Sequence, residues 1–112
     1  MTSGPVGGRD AEGEVLSLLG LALRAGGAAT GIRASRDAVR SGVAHLVLTA
    51  GDASDAQLEK VLGPARKRDV PHRVVADRRA LGSALGSTSI SAVAVTNPSL
   101  AERILEQLPA PG

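Results

Sequence analysis

The chain has 112 residues, enough for one domain with a real core and too few for two. Apolar residues make up 43% of it, but Phe, Tyr, Trp and Cys are all absent. That excludes disulfides, thiolate metal sites, a cysteine nucleophile and the stacking of unpaired bases on aromatic rings.

The net charge is only +2, yet it is unevenly spread: residues 24–42 hold four arginines against one acid, and residues 60–79 hold seven cations against two. Two basic segments of this kind suit a polyanion-binding face. A solvated arginine-rich surface accounts for the same pattern.

Met1 to Asp10 is rich in glycine with one proline, and the chain closes on Pro109-Ala110-Pro111-Gly112. These compositions predict a flexible tail over 1–12, one domain over 13–108 and a loose end over 109–112. The apolar stretch Val15 to Leu23 follows Arg9, Asp10, Glu12 and Glu14, a net negative flank where a signal peptide needs a positive one. No apolar run approaches the roughly 20 residues of a membrane span. A cytoplasmic, monomeric protein is expected.

Val15, Leu16, Leu18, Leu19, Ala22 and Leu23 have helical spacing, and Gly26 ends the pattern. Ala28 to Thr30 is too short to assign. A second helix is predicted from Gly31 to Gly42, with Ile32, Ala38 and Val39 inward and Arg33, Arg36 and Arg40 outward. His45 to Ala50 reads as a buried central strand. Ser54 with Gln57 three residues on predicts a helix over 55–68, kinked or broken at Pro64.

Pro71 to Val75 reads as the next strand. Asp77 caps a short helix over 78–85 that Gly86 ends. Ala92 to Val95 is a further strand, and Asn97-Pro98 opens a last helix carrying Leu100, Ile104, Leu105 and Leu108. Such alternation predicts a mostly parallel sheet between helices.

Signs of catalysis are weak. Gly26 and Gly31 have P-loop spacing, but Ile32 and Arg33 stand where lysine and a hydroxyl are needed to hold phosphate and magnesium. No G-x-G-x-x-G follows a strand. His45 and His72 lack metal-pair spacing, and Asp52 and Asp55 fit loop and cap roles around Ser54. No enzyme activity, metal or cofactor is therefore expected. The helix opening at Gly31 is the stronger feature: free N–H groups and a positive dipole end attract phosphate, and Arg33, Arg36 and Arg40 share one face. A solvent-exposed helix face has the same spacing.

Several stretches together resemble a known family. They are Leu19-Gly20-Leu21-Ala22, Arg24-Ala25-Gly26, Thr30-Gly31, Asp37 to Gly42, Leu46 to Ser54, Val70-Pro71, Ala80 to Gly86 and Ala92 to Pro98. In that order they are similar to the superfamily of large-subunit ribosomal proteins of L-seven-Ae and L-thirty-e type, and most like its short bacterial members.

The resemblance covers roughly residues 14–108. It implies an α/β/α sandwich around a small, mixed four-stranded sheet, and binding to kink-turn or similarly bent RNA, in the ribosome or elsewhere. It also implies that contacts come from Gly31, Ile32, Arg33, Ala34 and Asp37, from the loop Gly51-Asp52-Ala53, and from the loop Ser87-Thr88-Ser89-Ile90. Arg36 and Arg40 add phosphate contacts along the same helix.

The match has departures. Kink-turn specialists of the family carry Asn-Glu where this chain has Arg33-Ala34, and a lysine where it has Asp37. Losing one base-reading pair removes about 1–3 kcal/mol of discrimination. The alternative is a protein-interaction module of the same fold that has lost RNA binding.

Overall fold

In the strands, alternate side chains point to opposite faces, and both faces are covered. The computed structural model describes residues 8–108. In chain order these form α1 (Gly8–Arg24), β1 (Ala28–Thr30), α2 (Ile32–Arg40), β2 (Leu46–Thr49), α3 (Asp55–Lys67), β3 (His72–Val74), α4 (Arg78–Ala84), β4 (Ala92–Val95) and α5 (Pro98–Gln107).

Leu46 and Leu48 of β2, with Val93 and Val95 of β4, meet Val15, Leu18 and Leu19 of α1, Leu81 of α4 and Ile104 of α5. On the opposite face Val47, Ala92 and Ala94 meet Ala38 and Val39 of α2 and Val61 and Ala65 of α3. The result is a three-layer α/β/α sandwich in which a core without aromatic rings is filled by aliphatic side chains.

The sheet order is β1-β4-β2-β3. β4 runs antiparallel to both β1 and β2, and only β2 and β3 pair in parallel. The mostly parallel sheet that alternation predicts is thus replaced by a mixed one, as the family resemblance implies. The reason lies in the connection through α4, which folds back on itself: the Ile90 N–H, just before β4, donates to the Arg78 carbonyl at the start of α4 at 3.0 Å. The chain leaves β3 beside the end of β2, where the Val75 N–H donates to the Thr49 carbonyl at 2.9 Å. It re-enters the sheet at the same end, with Ala92 opposite Thr49.

Local signals account for most element ends. Ser54, Asp77 and Asn97 each accept a hydrogen bond from the backbone N–H three residues on, at 3.2, 2.8 and 2.9 Å, which satisfies one free donor at the start of α3, α4 and α5. Ser35 is wholly buried, and its hydroxyl donates to the Ala29 carbonyl at 3.2 Å, tying α2 to β1.

Two boundaries differ from expectation. α1 begins at Gly8, so residues 8–12 are helical rather than part of a loose tail; the rest of that tail and residues 109–112 lie outside the described residues. α3 runs unbroken through Pro64 to Lys67; the proline removes one backbone bond to the preceding turn, and the burial of Val61 and Ala65 on either side of it in the smaller core offsets that loss.

Candidate nucleic-acid interface

β1, β2 and β3 all point toward one end of the sheet, and β4 starts there. The segments following β1, β2 and β3 and the one preceding β4 therefore share one rim. Backbone hydrogen bonds stitch that rim together: Gly31 N–H to the Ala92 carbonyl at 2.8 Å, Ala50 N–H to Ser91 at 2.9 Å, Gly51 N–H to Ala76 at 2.9 Å and Ile90 N–H to Arg78 at 3.0 Å. The three segments that the family resemblance singles out are thus brought together by main-chain contacts.

Gly31 sits at φ 97° and ψ 166° as the N-cap of α2, a backbone region that side chains occupy only under strain. No side chain caps this helix and its first turn holds no acid. Its positive end and free N–H groups therefore face outward unneutralised. Arg33 is exposed beside them, while Ile32 and Ala34 are half-buried.

Asp37 is exposed, and its carboxylate lies 3.7 Å from the Nε of half-buried Arg36. This carboxylate offsets part of the positive charge on α2. The Arg36 Nε is itself buried, with no hydrogen-bond partner among the described residues.

Arg40 lies elsewhere. Eight residues beyond Ile32, it stands about 12 Å along the helix from the rim, and it lines a groove with Glu59, Gly63, Pro64, Arg66, Lys67 and Arg68. The three arginines share a face of α2, but only Arg33 and Arg36 approach the rim.

In the β2–α3 loop, Gly51 and Asp52 are exposed and Ala53 packs against the larger core. Asp52 is already engaged: one carboxylate oxygen accepts from the Arg78 N–H at 2.8 Å and the other lies 3.4 Å from the Arg78 Nε. The backbone hydrogen bond, and then the guanidinium charge, hold its carboxyl below the ordinary value of 3.8. Asp52 therefore latches this loop to the start of α4.

In the loop before β4, Thr88 and Ser89 are exposed, but Ile90 is only 7% exposed and belongs to the larger core. Its side chain anchors the loop from inside. A Cβ at Gly82 of α4 would lie 2.6 Å from both the Ser89 N and the Thr88 carbonyl carbon, so a hydrogen at this position lets the loop rest on the helix.

Sequence reasoning missed Arg78 and Gly82 as parts of the rim. The contact between Asp52 and Arg78 spans 26 positions and leaves no local signal. Gly82 left an ambiguous one, since a glycine inside a helix can mark a close approach but Gly13 in α1 has nothing within 4 Å of its Cβ position.

The rim offers backbone amides, hydroxyls and guanidinium groups, which suit hydrogen bonds to phosphates and base edges. Among the described residues there is no group of three or more His, Cys, Asp or Glu that could hold a metal ion. Among the described residues, no helix is long and apolar enough to cross a membrane.

Residues 13–104 match the model of the family described as ribosomal protein L7Ae/L30e/S12e/Gadd45. Over 95 residues the chain is 34% identical to the RNA-binding protein YlxQ of Bacillus subtilis (strain 168), an alignment covering 85% of this chain and 95% of that one. A protein of unknown function from Bacillus halodurans has a similar structure, with a TM-score of 0.78 and 31% identity over 83% of this chain and 94% of that one. A Giardia lamblia 15.5kD RNA binding protein shares the fold at a TM-score of 0.73 and 22% identity, over 92% of this chain and 88% of that one.

Proposed function

The chain belongs to the ribosomal protein L7Ae/L30e/S12e/Gadd45 family, and from that premise we propose that its rim binds structured RNA, bent in the manner of a kink-turn or a ribosomal RNA junction. The binding is non-catalytic and, on this reading, cytoplasmic and monomeric, with the ribosome as one setting for it. The observation that carries the proposal is the convergence of the uncapped, acid-free start of α2 with the Gly51–Ala53 and Ser87–Ile90 loops at one end of the sheet. The name of the similar Bacillus subtilis protein supports it.

Each group has a role. The α2 amides and Arg33 take phosphate oxygens, and Arg36 adds a second cation while tethered to Asp37. Gly31 and Gly51 let the RNA approach the backbone closely. Thr88 and Ser89 offer hydroxyls to sugars and base edges. Asp52, through Arg78, and Ile90, through the core, hold the two loops in place. Because Ala34 has no polar side chain, discrimination between bases rests on Arg33, which can grip a guanine edge with two hydrogen bonds.

The test is titration of a labelled kink-turn RNA and a straight duplex of equal length with wild type and Arg33→Ala across a salt series. Bent RNA is expected to bind at least about tenfold tighter, about 1.4 kcal/mol, with Arg33→Ala removing most of that preference. Equal, weak binding of both RNAs overturns the proposal. A protein-interaction module of the same fold is the second reading, favoured by the Asp37 carboxylate on the α2 face.

A further inference from the structure

α2 and α3 both start at the rim and run to the far end of the sheet, since each follows a strand that points toward the rim. There the C-terminal end of α2 and the last turn of α3 border the groove already noted, of about 720 Å³, with four cations and one carboxylate on its walls. Glu59 pairs with Arg66. Arg40, Lys67 and Arg68 are exposed, and among the described residues they form no ion pair.

The helix dipoles favour a cation in each last turn, Arg40 in α2 and Arg66 and Lys67 in α3. They do not by themselves bring the two ends together around an open concavity. Nor is the charge confined to the groove. His72, at the start of β3, is held below its ordinary value of 6.5 first by burial and then by the positive charges of Arg73 and Arg66.

A path joins this groove to the rim. At about 100° per residue, Arg33, Arg36 and Arg40 fall within roughly 60° of one another on α2, opposite Ala38 and Val39 in the core. Cations thus stand at the start, middle and end of a helix about 14 Å long, and the last of them is itself a wall of the groove.

We infer that the groove between the ends of α2 and α3 is a second phosphate-binding site, which takes the sugar-phosphate backbone of the RNA stem leaving the rim, with Arg36 and Arg40 bridging the two sites. This rests on the RNA reading above. It assigns Lys67 and Arg68 an RNA contact outside the segments the family resemblance names. A stem backbone fits better than an unpaired base, because a duplex turns its phosphates outward and the groove holds no Phe, Tyr or Trp to stack a base on.

The experiment compares two RNAs with the same bend, one with a stem ending near the rim and one extended by about six base pairs, which carries an A-form stem past the far end of α2, ~14 Å away. Wild type, Arg33→Ala and the triple variant Arg40→Ala/Lys67→Ala/Arg68→Ala are titrated from low to moderate salt, and a Lys67→Gln/Arg68→Gln chain repeats the comparison with packing kept. Circular dichroism and the thermal midpoint report the fold.

Wild type is expected to bind the extended RNA at least about tenfold tighter at low salt. The magnitude of its log–log salt slope should exceed that of the triple variant by about two to three, one per lost phosphate contact. The triple variant and the Gln pair are expected to lose that advantage while keeping the preference for bent over straight short RNA.

If both groove variants keep the full advantage of the long stem, or wild type shows none, the inference is overturned and the rim reading stands. Binding of an acidic peptide to the groove without any stem effect overturns it in favour of a protein partner. If wild type binds neither RNA, the rim reading falls, and the inference with it.

Discussion

Gly82 carries the loop before β4, because the Ser89 N–H and the Thr88 carbonyl pass where a side chain would be. Gly82→Ala is expected to destabilise the fold by about 1–3 kcal/mol, the usual cost of overpacking against atoms that cannot yield, as read by urea denaturation. It should also weaken RNA binding more than Ser83→Ala, which changes an exposed position on the same helix. Equal stability for the two variants would mean that the loop shifts freely.

His72 makes the stability pH-dependent. Its ring shares a 2.7 Å hydrogen bond with the buried Thr49 hydroxyl, and burial together with Arg73 and Arg66 keeps its folded value below 6.5. The unfolded chain therefore takes up the proton first, and stability, full above about 6.5, falls as the pH drops from there through the folded value. Asp52 acts in a separate, lower window: its carboxyl is held below 3.8, so its contribution is lost only as the pH falls through and below that region. Unfolding in urea at several pH values is expected to show the upper loss in wild type and a flatter profile in His72→Gln; an unchanged profile removes His72 as the cause.

At this scale the sequence is read with uneven success. Ser54, Asp77 and Asn97 are legible as caps because capping is local. The engagement of Asp52 and the burial of Ile90 are not, because both depend on partners distant in the chain.

Among the elements, α2 depends on how it begins. Gly31 joins β1 to this helix through φ 97° and ψ 166°, where a Cβ costs of order 1–3 kcal/mol. Gly31→Ala is expected to lower stability by about that amount although its Cβ would meet nothing within 4 Å. Strain in the backbone, rather than a clash, is the cause. Equal denaturation midpoints for Gly31→Ala and wild type would place the residue in an ordinary conformation.

β1 escapes sequence reading because its three residues, Ala28, Ala29 and Thr30, are only half-buried and offer no alternation long enough to detect. β2 and β4 are fully buried runs of four and stand out. Strand direction is another matter: hydrophobic pattern reports which face is covered, not which way the chain runs, so the antiparallel insertion of β4 becomes visible only through the family resemblance.

For the molecule as a whole, β2 and β4 supply side chains to both cores, so neither helical layer can come away without exposing the same two strands. A single cooperative unfolding transition is expected. Leu19→Ala, on the α1 side, should lower it by about 2–5 kcal/mol, a large share of the 5–15 kcal/mol that usually holds a domain together. Two resolved transitions in calorimetry would show instead that the layers unfold separately. Both edges of the sheet are strands of three residues, which leaves little backbone for pairing edge to edge with another chain. The layered architecture is legible from composition and alternation; the mixed topology and the groove at the far end are not, since both arise from where chain segments meet.

The aliphatic core has a consequence for observation. With no Phe, Tyr or Trp in the chain, the protein is nearly transparent in the near ultraviolet and has no intrinsic fluorescence there. In a complex with RNA, almost all near-ultraviolet absorbance and dichroism therefore comes from the bases, and a change in their stacking on binding can be followed without a label and with little correction for the protein.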